Sequence, residues 1–419
     1  MATIHRTTRL WHHPGFVRLW AAQTVSAFGD QITLLALPLL AVTTLGASAG
    51  QMGLLRAAET GPILVVGLFA GVWIDRLRRR PILIAADLGR GALLLAIPVA
   101  AWLDVLRIEL LYVVGILIGT LSVFFEVARQ SYVTAVVRRD QLVDANSKLM
   151  VSASGAEVAG PGIAGALVQL LGAPITLLFD AVSFAVSGAL IGRIRTSEPA
   201  PIPRLQGSNV WREMHDGLRQ VVRDPILRTL AGATASGNIF ESARSAVLVL
   251  YMSEDLGLKP GAIGLVFAAG SVGFFLGAFL PAWTARRFGL GRAITGAMVV
   301  LWLSEFLYPL AAGPNRVVVP LLVAALFLGG LAGPSYDVNQ FSLRQAITPD
   351  ALLGRVNASM RVVIRGAVPI GALLGGLIGE LFGLRAVMLF GTLGGLSSLL
   401  WLWRSPIPTL QTIPPHSED

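Results

Sequence analysis

Ionisable side chains inside long apolar runs are the residues of this chain whose presence demands a chemical reason. Asp30 stands in "SAFGDQITLL", Glu241 in "GNIFESARSA", Glu157 in "SASGAEVAG" and Glu305 in "LWLSEFLY". A charged side chain costs roughly 2.5–3.5 kcal/mol at the centre of a membrane helix unless it meets a cavity or a partner. Asp30 lies beside Gln31 and far from either loop, so snorkelling to the interface cannot rescue it. A carboxyl group so placed can take up and release a proton, or meet a bound molecule. Glu241 has Arg244 one helical turn on, so it reads equally as a coupling residue or as half of a local ion pair. Glu157 is open between the same two readings, and Glu305 reads as a structural acid. Arg56 with Glu59, Asp87 with Arg90, and Glu126 with Arg129 share an i, i+3 spacing that suits packing or gate pairs better than cargo ligands.

The elements that must position these groups are membrane helices. Of the 419 residues, 54% are hydrophobic and 14% charged, against about 25% charged in soluble domains. Runs near the length of about 20 residues needed to cross a bilayer fall at 19–45, 52–74, 82–102, 110–127, 147–171, 175–194, 226–252, 262–284, 293–312, 317–336, 358–381 and 386–403. The expected fold class is therefore an all-α integral membrane protein with twelve transmembrane helices in two six-helix bundles. Residues 1–194 form the first bundle, 195–225 a cytoplasmic linker, 226–404 the second bundle and 405–419 a cytoplasmic tail. The linker opens Pro-rich and ends in a basic, helix-like segment around residues 211–228. Whether that segment regulates or merely connects stays open.

Loop charge sets an expected orientation. Arg76, Arg78, Arg79, Arg80, Arg138, Arg139, Arg204, Arg212, Arg219, Arg286, Arg287, Arg292, Arg344 and Arg355 follow the even-numbered spans, while the other loops hold Arg107, Lys259, Arg316 and Arg385. Both termini should be cytoplasmic and the chain multi-pass in the inner membrane. The net charge of +9 belongs to these loops rather than to one soluble face, so nucleic acid is not an expected partner. A monomer with a small-molecule cargo in the bilayer is expected instead.

The second half lies on the first with a shift of about 211 residues, 241 minus 30. Asp30 then meets Glu241, Ala57 and Ala58 meet Ala268 and Ala269, and Arg76 meets Arg287. Gly119 meets Gly330, Glu126 meets Asp337, Asn146 meets Asn357, and Gly155, Gly160, Gly165 and Gly172 meet Gly366, Gly371, Gly376 and Gly383. Parallel repeats of this kind place a binding site between the halves near the midplane and let the halves rock about it.

The loop "GVWIDRLRRR" resembles the signature of the major facilitator superfamily, G-x-x-x-D-R/K-x-G-R/K-R/K, through Gly71, Asp75, Arg76, Arg79 and Arg80, with Arg78 in place of a glycine. The second copy, "AWTARRFGLGR", keeps Arg287 and has Gly289, with Arg286 in place of the aspartate. "FVRLWAAQTVSAFGDQITLLALPL", "DLGR" and "FFEVARQSYVTAVVRRDQLVDANS" resemble the branch containing macrolide efflux proteins and the enterobactin exporter. The resemblance implies that the loop aspartate and arginines latch the cytoplasmic ends of the helices, with Arg361 and Arg365 of span eleven as contacts. It also implies that Gly160, Pro161 and Gly165 correspond to an antiporter signature, with Ala156 and Ala164 replacing two of its glycines. Gly115 stands where many proton-coupled relatives carry an arginine in span four.

These readings converge on a secondary transporter, a proton-coupled antiporter exporting hydrophobic or amphipathic compounds such as drugs or siderophores. The proton gradient would be its energy source, with no cofactor. No phosphate-binding loop of the G-x-x-x-x-G-K-S/T type occurs. The chain has no cysteine, and its histidines, His5, His12, His13, His215 and His416, all lie outside the spans, so an embedded enzyme lacks a nucleophile with a base or a metal cluster. A symporter or uniporter importing a nutrient competes with the exporter, and a non-transporting receptor stands behind both. Phe28, Phe124, Phe125, Phe240, Tyr251 and Tyr336 fall in spans that would line a cavity and would suit a planar cargo.

Overall fold

The computed structural model describes residues 10–67, 77–195 and 210–412, and among them there is no strand. Six helices make the first half: α1 (Pro14–Thr43), α2 (Ala49–Thr60), α3 (Arg79–Trp102), α4 (Ile108–Val136), α5 (Leu142–Leu171) and α6 (Ala173–Gly192). A linker helix (Val210–Arg223) leads to α7 (Pro225–Leu250), α8 (Pro260–Gly277), α9 (Leu290–Glu305), α10 (Asn315–Ile347), α11 (Asp350–Phe382) and α12 (Leu384–Ser397). A short helix (Pro281–Phe288) follows α8. All the described spans except α2 and α7 are long and apolar enough to cross a bilayer, α9 by running on to Leu310 and α12 to Trp403. Within the described residues α2 is short, and α7 carries Arg228, Glu241 and Arg244.

Local chemistry sets the helix starts. Pro14 opens α1 with the His13 imidazole accepting from the Phe16 amide at 3.1 Å. Ser48 and Gln51 form a reciprocal capping box on α2, and Asp224 accepts from the amides of Ile226 and Leu227 at 2.8 and 2.9 Å to start α7. Several helices outrun the apolar stretches that announced them. α4 continues to Val136 rather than ending at Val127, and α10 to Ile347 rather than Tyr336, because backbone hydrogen bonding propagates through polar residues once a helix is nucleated. Span eight is interrupted instead, since α8 ends at Gly277 and the chain restarts at Pro281, whose missing N–H cannot continue a ladder.

Within the first half α1 packs on α5 and α6, and α3 on α4 and α6; in the second, α7 packs on α11 and α12, and α10 on α8 and α9. The halves meet through α5 with α8 and α2 with α11. Both contacts lie at the end of the molecule opposite the linker. A Cβ on Gly165 would stand 2.7 Å from the Gly264 Cα, and one on Gly53 would stand 2.7 Å from the Gly376 Cα, so the backbones touch where only glycine fits. The Gln169 side-chain oxygen accepts from the Gly261 amide and the Glu380 carboxylate from the Gly50 amide, each at 2.9 Å. Among the described residues no such packing joins α4 to α10 or α11, so the described helices leave a cleft between the halves at the linker end. There the linker helix lies on α11, with Asp216 3.6 Å from Arg355.

Candidate functional site

In the first half the site is built on Arg90 of α3. Its guanidinium is only 3% exposed and lies between the rings of Phe125 on α4 and Phe184 on α6, 4.3 and 4.1 Å from their centroids. It donates to Asp87 at 2.6 Å and reaches Asp30 on α1 at 3.8 Å. Asp87 is fully buried and also accepts from the Ser187 hydroxyl at 2.7 Å. One turn above Asp30, Thr33 donates to Asp180 of α6, a fully buried acid that also accepts from Ser183 at 2.8 Å. Gly29 is required here, because a Cβ would occupy the space of the Asp180 and Ser183 side chains. Asp30 itself is 51% exposed. Arg90 thus faces two carboxyl groups while Asp180 is held by hydroxyls alone, a surplus of acid that a proton or a cationic group relieves.

The second half repeats the scheme with other residues. Glu241 of α7 is 47% exposed and 3.8 Å from Arg244, which is buried and pairs with Glu305 of α9 at 2.9 and 3.1 Å. The Arg244 guanidinium also lies over the Tyr308 ring, 4.5 Å from its centroid. Each half therefore presents one half-exposed acid in front of a buried arginine that is held from behind by a buried acid. Arg90 Nε and Arg244 Nη1 are buried without an acceptor among the described residues.

The structure redistributes several expectations. Asp30 is not isolated, and Asp87 with Arg90 is not a separate pair; the three form one cluster. Arg244 serves Glu305 more closely than Glu241. Glu157 is exposed on α5 and makes no ion pair among the described residues. Arg56 pairs with Glu59 at 3.1 Å, and Glu126 pairs with Arg129 at 2.6 Å while also accepting from Gln130 at 2.8 Å. Gly71, Asp75 and Arg76 lie outside the described residues, and with them the expected contact of Asp75 with Arg361 and Arg365, both of which are exposed on α11. Arg79 begins α3, and Arg80 donates to the last carbonyls of α6, Ile191 and Gly192, an engagement inside its own half. Gly160 faces Gln31 of α1, Pro161 is buried beside it, and Gly165 makes the contact with α8, so the antiporter-like residues sit where α5 touches two other helices.

Three of the aromatics expected along a cavity, Phe125, Tyr251 and Tyr336, are buried instead. Tyr251 donates to the Tyr308 carbonyl at 2.9 Å, and Tyr336 shares a hydrogen bond with Thr234 at 2.7 Å, because a phenol can enter the core once its hydroxyl is satisfied. Phe125 stacks on Arg90. Sequence reasoning misses Asp180, although the signal that exposes Asp30 is there too: an acid in the middle of "LLFDAVSF", followed by Ser183 one turn on.

Comparison with known proteins agrees with this architecture. The family described as transmembrane secretion effector matches residues 10–418. The multidrug efflux pump Tap of Mycolicibacterium fortuitum is 29% identical over 389 residues, covering 90% of this chain and 91% of Tap. Among solved structures, the nucleoside transporter NupG superposes with a TM-score of 0.76 at 11% identity, covering 93% of this chain and 98% of NupG. A bacterial homologue of the iron transporter ferroportin in its inward-facing state gives 0.74 at 18% identity, covering 93% and 98%, whereas the outward-facing state gives 0.57. Two pseudo-symmetric six-helix halves, a cleft between them and a sequence match over nearly the whole length have one common explanation: the chain belongs to the transmembrane secretion effector family of major facilitator superfamily transporters.

Proposed function

We propose that this transporter exports amphipathic small molecules from the cytoplasm in exchange for protons, with no cofactor beyond the proton gradient. The observation that carries the reading is the matched placement of Asp30 and Glu241, each half-exposed and each 3.8 Å from a buried arginine. A proton arriving at either acid loosens its hold on that arginine, and a departing proton restores it. Cargo and proton then compete for the same cluster, which is the requirement of antiport. The name of the Tap relative supports a drug-like cargo.

In this reading both termini and the linker are cytoplasmic, as the arginine-rich loops favour, and the chain works as a monomer in the inner membrane. The cleft then faces the cytoplasm, consistent with the better superposition on an inward-facing homologue. Bundles 1–194 and 226–404 rock about the site, and Asp75, Arg76, Arg361 and Arg365 would meet when the cytoplasmic end closes.

The test is accumulation of fluorescent amphipathic compounds in cells expressing wild type or Asp30→Asn, with and without a protonophore. Lowered accumulation by wild type alone, lost when the gradient collapses, is expected. Equal export by Asp30→Asn would refute the carrier role, and a transporter-dependent rise in accumulation would make the chain an importer.

A further inference from the structure

On the flank of the second half, away from the cleft, a crevice of about 430 Å³ lies between the end of α8, the short helix, α9 and α10. Its walls are apolar: Leu280, Phe288, Ala297, Val300 and Leu331. The crevice exists because α8 breaks before Pro281 and because Gly296 has no side chain; a Cβ there would meet nothing within 4 Å. Among the described residues α9 packs on elements of the second half, and its exposed residues Arg292, Gly296, Val300 and Leu303 recur at helical spacing along the open side. On a membrane-spanning half, an open side of this kind meets the hydrocarbon of the bilayer.

Polar features mark both its linker end and its interior. Arg292 lines the rim, exposed and without an acidic partner among the described residues, and Arg286 and Arg287 are exposed on the adjoining short helix. Trp283 and Phe288 stack edge to face beside them at 5.7 Å, the aromatic signature of a membrane interface. Deeper in, Ser335 is among the lining residues, and its hydroxyl is buried beneath the crevice wall with no hydrogen-bond partner among the described residues, whereas Thr284 is satisfied by the carbonyls of Leu280 and Pro281. An orphaned buried hydroxyl in an apolar groove calls for an acceptor from outside.

We propose that this crevice binds one anionic phospholipid of the surrounding bilayer. An acyl chain fills the apolar walls, an ester carbonyl accepts from Ser335, and the phosphate-bearing headgroup rests against Arg292 with Arg286 and Arg287 adding to its field. The site is separate from the acid–arginine clusters, so its occupancy and the transport reading stand or fall independently.

Native mass spectrometry of the purified full chain, incubated with phosphatidylglycerol and phosphatidylcholine of identical acyl chains, tests it. Wild type is expected to retain phosphatidylglycerol in preference. Gly296→Leu, which extends into the open space, should abolish retention of both lipids while gel filtration shows an unaltered particle. Arg292→Gln should keep a bound lipid but lower the preference for the anionic one about fivefold. Unchanged retention in Gly296→Leu, equal retention of the two lipids by wild type, or a crevice that keeps detergent in place of either lipid would overturn the proposal.

Discussion

Replacing Gly165 by alanine tests how the distal closure between the halves controls the conformational balance. A Cβ at this position would stand 2.6 Å from the Pro260 carbonyl oxygen and 2.7 Å from the Gly264 Cα. Ordinary van der Waals contact begins near 3.4 Å, so α5 and α8 must part by about 0.8 Å, against backbone that cannot rotate aside. Overpacking of this kind costs about 1–3 kcal/mol. The cost falls only on the state in which α5 and α8 touch, so the equilibrium moves toward the distally open state by about 5- to 150-fold. Gly53→Ala acts in the same way through α11, where its Cβ would lie 2.5 Å from the Ala372 carbonyl oxygen. Gly155→Ala is the control: it sits in the same helix as Gly165 and its Cβ meets nothing within 4 Å, so it carries only the change in helix propensity. Because the chain has no cysteine, a single Leu34→Cys, one turn from Asp30 and exposed on α1, can be followed with a membrane-impermeant maleimide on intact cells. The labelling rate should rise within that range in Gly165→Ala and Gly53→Ala and stay at its starting value in Gly155→Ala. Unchanged labelling in both contact variants, with the proteins inserted normally, would refute the idea that these glycine contacts hold the distal end shut.

Three further outcomes follow from the buried clusters. Glu305→Gln leaves Arg244 buried without its bidentate partner and should destabilise the protein by about 3–5 kcal/mol, read as a lower denaturation midpoint in detergent; Glu241→Gln, at a half-exposed site, should cost less than about 1 kcal/mol. Gly29→Ala should sharply reduce folded protein, and adding Asp180→Ala should recover part of it, since the two changes act on the same space; simple additivity of the two defects would count against that packing. Asp87→Asn should weaken stability more than Asp30→Asn, because Asp87 holds Arg90 at 2.6 Å in full burial while Asp30 stands at 3.8 Å facing the cleft.

Much of the architecture is legible in the sequence because the bilayer makes one demand of every span: about 20 apolar residues with the backbone satisfied internally. Asp30 and Glu241 stand out under the same rule, and their alignment in the repeat points to paired roles. What pairing does not reveal is the partner of each. Arg90 reaches Asp30 across 60 residues and Arg244 reaches Glu305 across 61, so both contacts depend on which helices become neighbours. An i, i+3 spacing is visible in a string of letters, which is why Arg244 reads first as the partner of Glu241. Tyr251 and Tyr336 look like cavity residues for a related reason: span membership is readable, but the facing of a side chain within a bundle of helices with apolar residues on every side is not. Likewise the break before Pro281, and the crevice it opens, need the position of α9 to become meaningful.

The distal closure has the form of a two-fold interface folded into one chain. Gly53 with Gly376 and Gly264 with Gly165 are the same contact made twice, as are Gly50 with Glu380 and Gly261 with Gln169, each set related by the repeat shift. Such reciprocity, in which patch i meets j and j meets i, is what an isologous homodimer has. A single six-helix chain bearing one copy of these residues would therefore already possess both halves of the closure upon pairing with itself. In such a dimer any substitution would strike both contacts at once; within one chain each can vary alone, and Gln169 against Glu380 is one place where the two copies differ, one closure neutral and the other charged.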